Sequence, residues 1–408
     1  MKFFSRRFLY RELWGIHNLR WLIIARFFAH TIFYSSVIVL FEQQRGLNFT
    51  EIFLLETILS ACLWLFNVPT GIWADQFGER SLLIVGYGLQ VIGGVIFAFA
   101  HGFGVFVLCE ILSGIGLACI SGCESALIYK SLPEETAEEL GTSAFALLNS
   151  ASSTGLFFGL TVGSFMAAYG SAFPVYITIL PAALGWLATL PLHPVKLQAS
   201  ESTRKGRVGM SDLLHLAWHE IRKQPILAGF SFFDDAAFAL VNAIFWYNQP
   251  YFLHAGIAII WFGLLTAGAQ AIGLLATLIT PLMRQHLGTR FTLTLACLLP
   301  GMAYIVLSIV HAPIFTVLLV AVIVACPVWR QPIVSDELNK RITSGARATT
   351  LSALSLVGAA TGIVLNLLVG SLGDRGLDVE SVGLGAGLIV LCLLIPVLTA
   401  RRKEHNCL

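Results

Sequence analysis

Arg26, Glu110, Glu124, Asp234, Asp235 and Arg330 are charged side chains set in otherwise apolar sequence. A charge at membrane depth costs about 2.5–3.5 kcal/mol on insertion scales, so such residues face a partner or an aqueous path. The signs suggest two ion pairs: Arg26 with Glu124, and Asp234 or Asp235 with Arg330. A hydrogen-bonded pair offsets desolvation, while losing one partner leaves a buried charge at high cost. A proton or substrate that competes for one member can therefore bias a two-state machine. Adjacent carboxylates suit proton or cation coupling because they resist being ionised together. Asp234 and Asp235 point about 100° apart on a helix, so at most one faces a cavity squarely. Glu110 and Glu124 share a helix face about 21 Å apart along the axis, Glu110 being an outer-gate candidate. His30 sits one turn from Arg26. Asn242, Trp246, Asn248 and Gln249, in an aromatic stretch ahead of Pro250, are candidates for a substrate-cavity wall.

The elements that position these residues are membrane spans. The chain has 408 residues, 57% hydrophobic and only 12% charged, whereas a soluble domain is nearer 25% charged. A spanning helix needs about 20 apolar residues. Reading at that length predicts twelve spans, at 20–41, 51–73, 81–100, 104–128, 143–168 and 172–192, then 226–252, 257–283, 290–310, 313–335, 347–370 and 382–400. The six charges fall on spans 1, 4, 4, 7, 7 and 10. Long apolar runs without ten-residue alternation exclude a β-barrel. Lys and Arg concentrate on one set of ends, among them Arg6, Arg11, Arg80, Lys130, Arg284 and Lys340, so both termini are expected in the cytoplasm.

No nucleotide loop, nucleophile elbow or His/Cys ligand set occurs, so neither an enzyme, a cofactor nor a metal site is expected. The eight cysteines lie mostly within spans and read as small core residues. Nothing suggests nucleic acid as a partner. The expected partners are a small-molecule substrate, protons and the lipid bilayer, around a monomer.

Residues 193–224 are the longest break in the apolar pattern and divide an N-terminal six-helix bundle, 1–192, from a C-terminal one, 225–408. The break reads as a cytoplasmic linker with an amphipathic helix from Ser211 to Lys223, carrying Leu214, Trp218 and Ile221 on one face. The halves look duplicated. Thr154, Gly155, Leu160, Val162, Gly163 and Ser164 recur 207 positions on as Thr361, Gly362, Leu367, Val369, Gly370 and Ser371, and Gly78-Glu79-Arg80 recurs as Gly288-Thr289-Arg290. Internal repeats are a mark of secondary transporters, with the site between halves.

Gly71, Asp75, Gly78 and Arg80 stand in the order Gly-x-x-x-Asp-basic-x-Gly-basic-basic between spans 2 and 3. This resembles the signature loop of the major facilitator superfamily, although Gln76 and Glu79 replace basic residues. Gly71 would permit close helix packing, Gly78 a sharp turn, and Asp75 could accept hydrogen bonds from a helix end. Ser121 through Leu132 is similar to a stretch in a drug-efflux-like bacterial branch, in which Tyr129 is usually followed by Asp and not by Lys130. Arg347 through Ser352 resembles that branch too. The branch's antiporter signature in span 5, with Gly-Pro-x-x-Gly-Gly, is absent; Gly155, Gly159 and Gly163 are spaced by four, a pattern of close helix contact. The resemblance implies an all-α membrane fold of twelve helices in two six-helix bundles, with spans 1, 4, 7 and 10 lining a cavity. The expected function is secondary active transport of a small organic molecule by alternating access, as proton-coupled export. Uptake of a charged metabolite or siderophore-like ligand is the alternative within transport, and a transport-dead membrane sensor is a third reading.

Overall fold

The computed structural model describes residues 13–133, 137–195, 222, 225–341 and 347–399. Among them there is helix throughout and no strand. The helix expected from Ser211 to Lys223 lies, but for Arg222, outside the described residues. In the first half the helices are α1 (His17–Ala29), α2 (Ile38–Gln44), α3 (Phe49–Phe77), α4 (Glu79–Ala98), α5 (Phe103–Ser131), α6 (Ala137–Ala167) and α7 (Ala172–Leu187). In the second they are α8 (Pro225–Asn242), α9 (Ile244–His254), α10 (Phe262–Leu307), α11 (Pro313–Ala325), α12 (Arg330–Arg341), α13 (Arg347–Gly373), α14 (Leu377–Cys392) and α15 (Ile395–Leu398).

By length and composition, eight helices among the described residues can cross a membrane. The number becomes nine if His17–Ser36 and Ile38–Gln44, bent by 58°, form one span. Ala172–Leu187 and Val357–Gly373 are shorter apolar helices. Leu274, Leu275 and Leu278 on α10 are between 63% and 72% exposed, an apolar surface that water would penalise and lipid accommodates. The chain is an all-helical, multi-pass membrane protein.

Contacts divide the described residues into two compact units. The first takes in those of Met1–Leu47, Leu54–Thr203 and Ala258–Leu264; the second takes in those of Asn48–Phe53, Arg204–Ile257 and Leu265–Leu408. In the first unit α4 packs along α5, and α1 packs on α6 and α7. The glycine row of α6 makes that approach possible. A Cβ at Gly155 would lie 2.4 Å from the Phe27 carbonyl oxygen, and one at Gly163 only 1.8 Å from that of Phe33. In the second unit α8 packs along α13.

The repeat seen in the sequence has a structural counterpart in each unit. Gly78 (φ 82°) and Gly288 (φ 77°) both adopt the left-handed backbone that favours glycine, the first turning the chain between α3 and α4 and the second breaking α10 into two helical stretches. Two residues on, Arg80 donates to the Leu190 carbonyl at 3.0 Å and Arg290 to the Thr399 carbonyl at 3.1 Å. Each arginine thus ties a turn to the end of its own half. Gly71 behaves otherwise than expected: a Cβ there meets nothing within 4 Å among the described residues, so no close packing between them requires it.

Two breaks shape the second unit. Span 7 divides between Asn242 and Ile244, earlier than Pro250, which lies inside α9. The Tyr304 hydroxyl donates to the Leu240 carbonyl at 3.1 Å and approaches that of Val241 at 3.5 Å. Those oxygens would otherwise accept the next turn's amides, so the tyrosine rather than the proline accounts for the break. Span 10 tightens to a 3-10 turn at Cys326–Trp329, around Pro327, so that Arg330 opens α12.

Candidate functional site

In the first unit Arg26 and Glu124 form an ion pair. Arg26 Nη2 lies 2.7 Å from Glu124 Oε2, and Arg26 Nε lies 3.0 and 2.9 Å from the two carboxylate oxygens. The guanidinium edge thus grips both oxygens, a geometry that lysine cannot reproduce. Only 4% of the Glu124 side chain is exposed, against 27% of Arg26. His30 completes the array: Nδ1 is 3.0 Å from the Arg26 carbonyl oxygen and Nε2 is 3.4 Å from Arg26 Nη1. A neutral ring carrying its proton on Nδ1 donates to the first and accepts from the second.

The second unit carries the same arrangement with the signs exchanged. Arg330 Nε donates to Asp234 Oδ1 at 2.5 Å, and it is the arginine that is buried here, with 5% of its side chain exposed against 25% for Asp234. Neither arginine extends freely to the solvent. Asp235 turns elsewhere. It accepts from Ser231 Oγ at 3.0 Å, and its carboxylate lies against Gly358 of α13. The two adjacent aspartates therefore have separate partners.

A cavity of about 340 Å³ opens beside this second pair, lined by Asp234, Asp235, Asn242, Phe245, Arg330 and Gln331 among others. Of the residues expected to face substrate, Asn242 lines it. Trp246 meets Phe53 edge to face at 6.3 Å between ring centroids. Asn248 is buried and donates to Thr266 Oγ1 at 3.4 Å, and Gln249 is buried. Asp75 is exposed, in the last turn of α3 just before the turn that Gly78 makes and Arg80 anchors.

Three sets of charges escaped the sequence reading. Lys130 is paired with the buried Glu79. Arg284 meets Asp336 at 2.6 Å and Glu337 at 3.4 Å. Glu42 and Glu56 lie beside Glu110 in the first unit. Glu79 and Lys130 had each been visible as a departure from a family pattern, and that is the signal that could have joined them. Glu42 lies just past the end of its apolar stretch, so its burial left no mark in composition. Among the described residues no cluster of His, Cys, Asp and Glu could hold a metal ion.

A family model described as the Major Facilitator Superfamily matches residues 21–329. An uncharacterized MFS-type transporter, YhjO of Bacillus subtilis, is 29% identical over 174 residues, covering 40% of this chain and 42% of that protein. The quinolone resistance protein NorA of Staphylococcus aureus is 25% identical over 171 residues, 42% of each chain. The aligned stretch thus spans less than half of either relative. Among solved structures, the nucleoside transporter NupG superposes over 94% of this chain and 100% of its own, with a TM-score of 0.75 at 15% identity. A bacterial homologue of the lysosomal transporter Spinster does so over 94% of each, with a TM-score of 0.68 at 14% identity. These likenesses are of fold alone. The match of the family model over most of the length identifies the chain as a member of the Major Facilitator Superfamily, a family of transporters.

Proposed function

We propose that this chain is a secondary active transporter that exports a small organic molecule in exchange for protons. It would have twelve spans in two six-helix bundles, residues 1–192 and 225–408, joined by the linker 193–224, and would work as a monomer by rocking one bundle against the other. Both termini would face the cytoplasm from a bacterial inner membrane. The observation that carries the reading is the Asp234–Arg330 pair on the wall of a 340 Å³ cavity. A buried ion pair is a weak way to gain stability, but its members release one another when a proton neutralises the aspartate or when a charged ligand engages the arginine. Proton occupancy of Asp234 would then compete with substrate for one cavity. Export is favoured by similarity to the quinolone resistance protein.

Uptake of a charged metabolite is the second reading, and the mixed signs of Asp234 and Arg330 within one cavity favour it. A panel of quinolones, organic cations and organic anions, scored by thermal shift of the purified protein at two pH values, separates the readings. Export coupled to protons requires that a stabilising compound lose its effect at the lower pH. Stabilisation by an anion alone, unchanged with pH, supports the second reading.

A further inference from the structure

The distal half of the first unit, away from where α1 begins, contains three carboxylates that neither ion pair uses. Glu42 is two residues from the end of α2, while Glu56 and Glu110 each lie seven residues into α3 and α5, which start at that same end. At about 1.5 Å per residue the last two sit at the same depth, roughly 10 Å in. The three lie within electrostatic reach of one another, Glu42 of Glu110 and Glu56, and Glu110 of Glu56. The other ionisable groups turned towards them are the Tyr34 hydroxyl and the thiols of Cys62 and Cys109, none of which carries positive charge. Arg45, three residues from Glu42, is engaged elsewhere. Its guanidinium donates to the Ala100 carbonyl at 3.1 Å and lies over the Phe41 ring.

Glu42 is the independent sign of a ligand. It is 3% exposed, and its Oε2 is buried with no hydrogen-bond partner among the described residues. Glu380, buried in the second unit, also leaves one oxygen, Oε1, without a partner, but its Oε2 accepts from the Tyr251 hydroxyl. A buried carboxylate oxygen without a donor, beside two more carboxylates and no cation, lacks a positive partner. A metal ion does not fit, because the three groups do not converge as ligands of one ion. What fits separate carboxylates that repel without chelating is a proton.

We propose that Glu42, Glu56 and Glu110 form a proton-binding site in the distal half of the first bundle, distinct from the two ion pairs. Binding adds one proton to a carboxylate oxygen and gives a neutral carboxyl group, with no other bond changed. Glu110 and Glu124 are about 21 Å apart on α5, so this site and the Arg26–Glu124 pair occupy opposite halves of one helix. The site deepens the proton-coupled reading above, which would supply the proton's destination, while its proton binding can be measured without transport.

Infrared spectroscopy of the purified full-length protein in lipid, titrated with pH, tests this. A carboxylic-acid C=O band should appear as pH falls and lose most of its amplitude in the E42Q/E56Q/E110Q variant. Should that triple variant fail to fold, the near-isosteric Glu110→Gln alone decides. Removing one negative neighbour should move the remaining band's midpoint to lower pH, by on the order of one unit. A titrating band of undiminished amplitude in the triple variant, or a midpoint unmoved in E110Q, overturns the assignment. D234N should leave this band in place, so a transport defect in D234N without its loss bears on the coupling role of Asp234 alone.

Discussion

The ammonium of Lys130 is bound to the carboxylate of Glu79, and each of these residues stands where the resembling family pattern has the opposite charge. Two apparent defects in separate motifs are thus one reversed ion pair joining the end of α5 to the start of α4. Glu79 is 5% exposed, so its charge depends on this partner.

Reversing either residue alone should therefore destabilise the protein. Glu79→Lys or Lys130→Glu should each cost roughly 1–3 kcal/mol, between the limits for exposed and buried pairs, since about a third of the Lys130 side chain is exposed. The double exchange should recover most of that loss. Thermal unfolding of the four proteins provides the check, and additive losses in the double variant would show that the pair contributes nothing.

The first-unit pair makes a sharper demand on side-chain shape. Arg26 reaches both oxygens of Glu124 through Nε and Nη2. Arg26→Lys should thus behave more like a loss than a conservative change. Glu124→Gln should destabilise by roughly 2–4 kcal/mol by leaving the guanidinium without its counter-charge. Exchanging the two residues should restore part of the activity lost in either single reversal. Full activity in Arg26→Lys would sink the claim that the side-on grip matters.

Glycines in the two motifs should respond in opposite ways. Gly163→Ala places a Cβ 1.8 Å from the Phe33 carbonyl oxygen and should cost about 1–3 kcal/mol or more by overpacking. Gly71→Ala meets open space and should be neutral or stabilising by about 0.5–1 kcal/mol, as expected of a helix interior. Melting temperatures compare the two directly, and a large loss at Gly71 would point to a neighbour outside the described residues.

What was legible in the chain was mostly what a membrane makes conspicuous. Arg26, Glu124, Asp234 and Arg330 stand out because charge inside an apolar run is costly, and opposite signs on spans 1 and 4, and 7 and 10, suggested the partners. The spacing of Gly155, Gly159 and Gly163 carried helix contact for a steric reason that needs no tertiary information. Glu42 and Glu79 carried no charge-in-apolar-run signal because they lie at a span end and a turn, where a charge costs little unless other helices cover it. Glu56, by contrast, stands as deep as Glu110 and was legible by the same rule. Convergence of α2, α3 and α5 on one spot is a property of packing, which spacing along one helix does not encode. The break at Asn242 was illegible for a similar reason: the Tyr304 hydroxyl that captures the Leu240 carbonyl comes from a helix more than sixty residues away.

The most direct test of the transport reading follows internal pH in liposomes containing the purified protein. Compounds that raise its melting temperature are added in turn, with native protein and D234N compared. Proton-coupled exchange requires that at least one such compound move protons through the native protein, and that Asp234→Asn reduce this movement about tenfold or more, equivalent to about 1.4 kcal/mol. Compounds that cross the membrane through the native protein with no proton movement, or with the same movement in D234N, would contradict it.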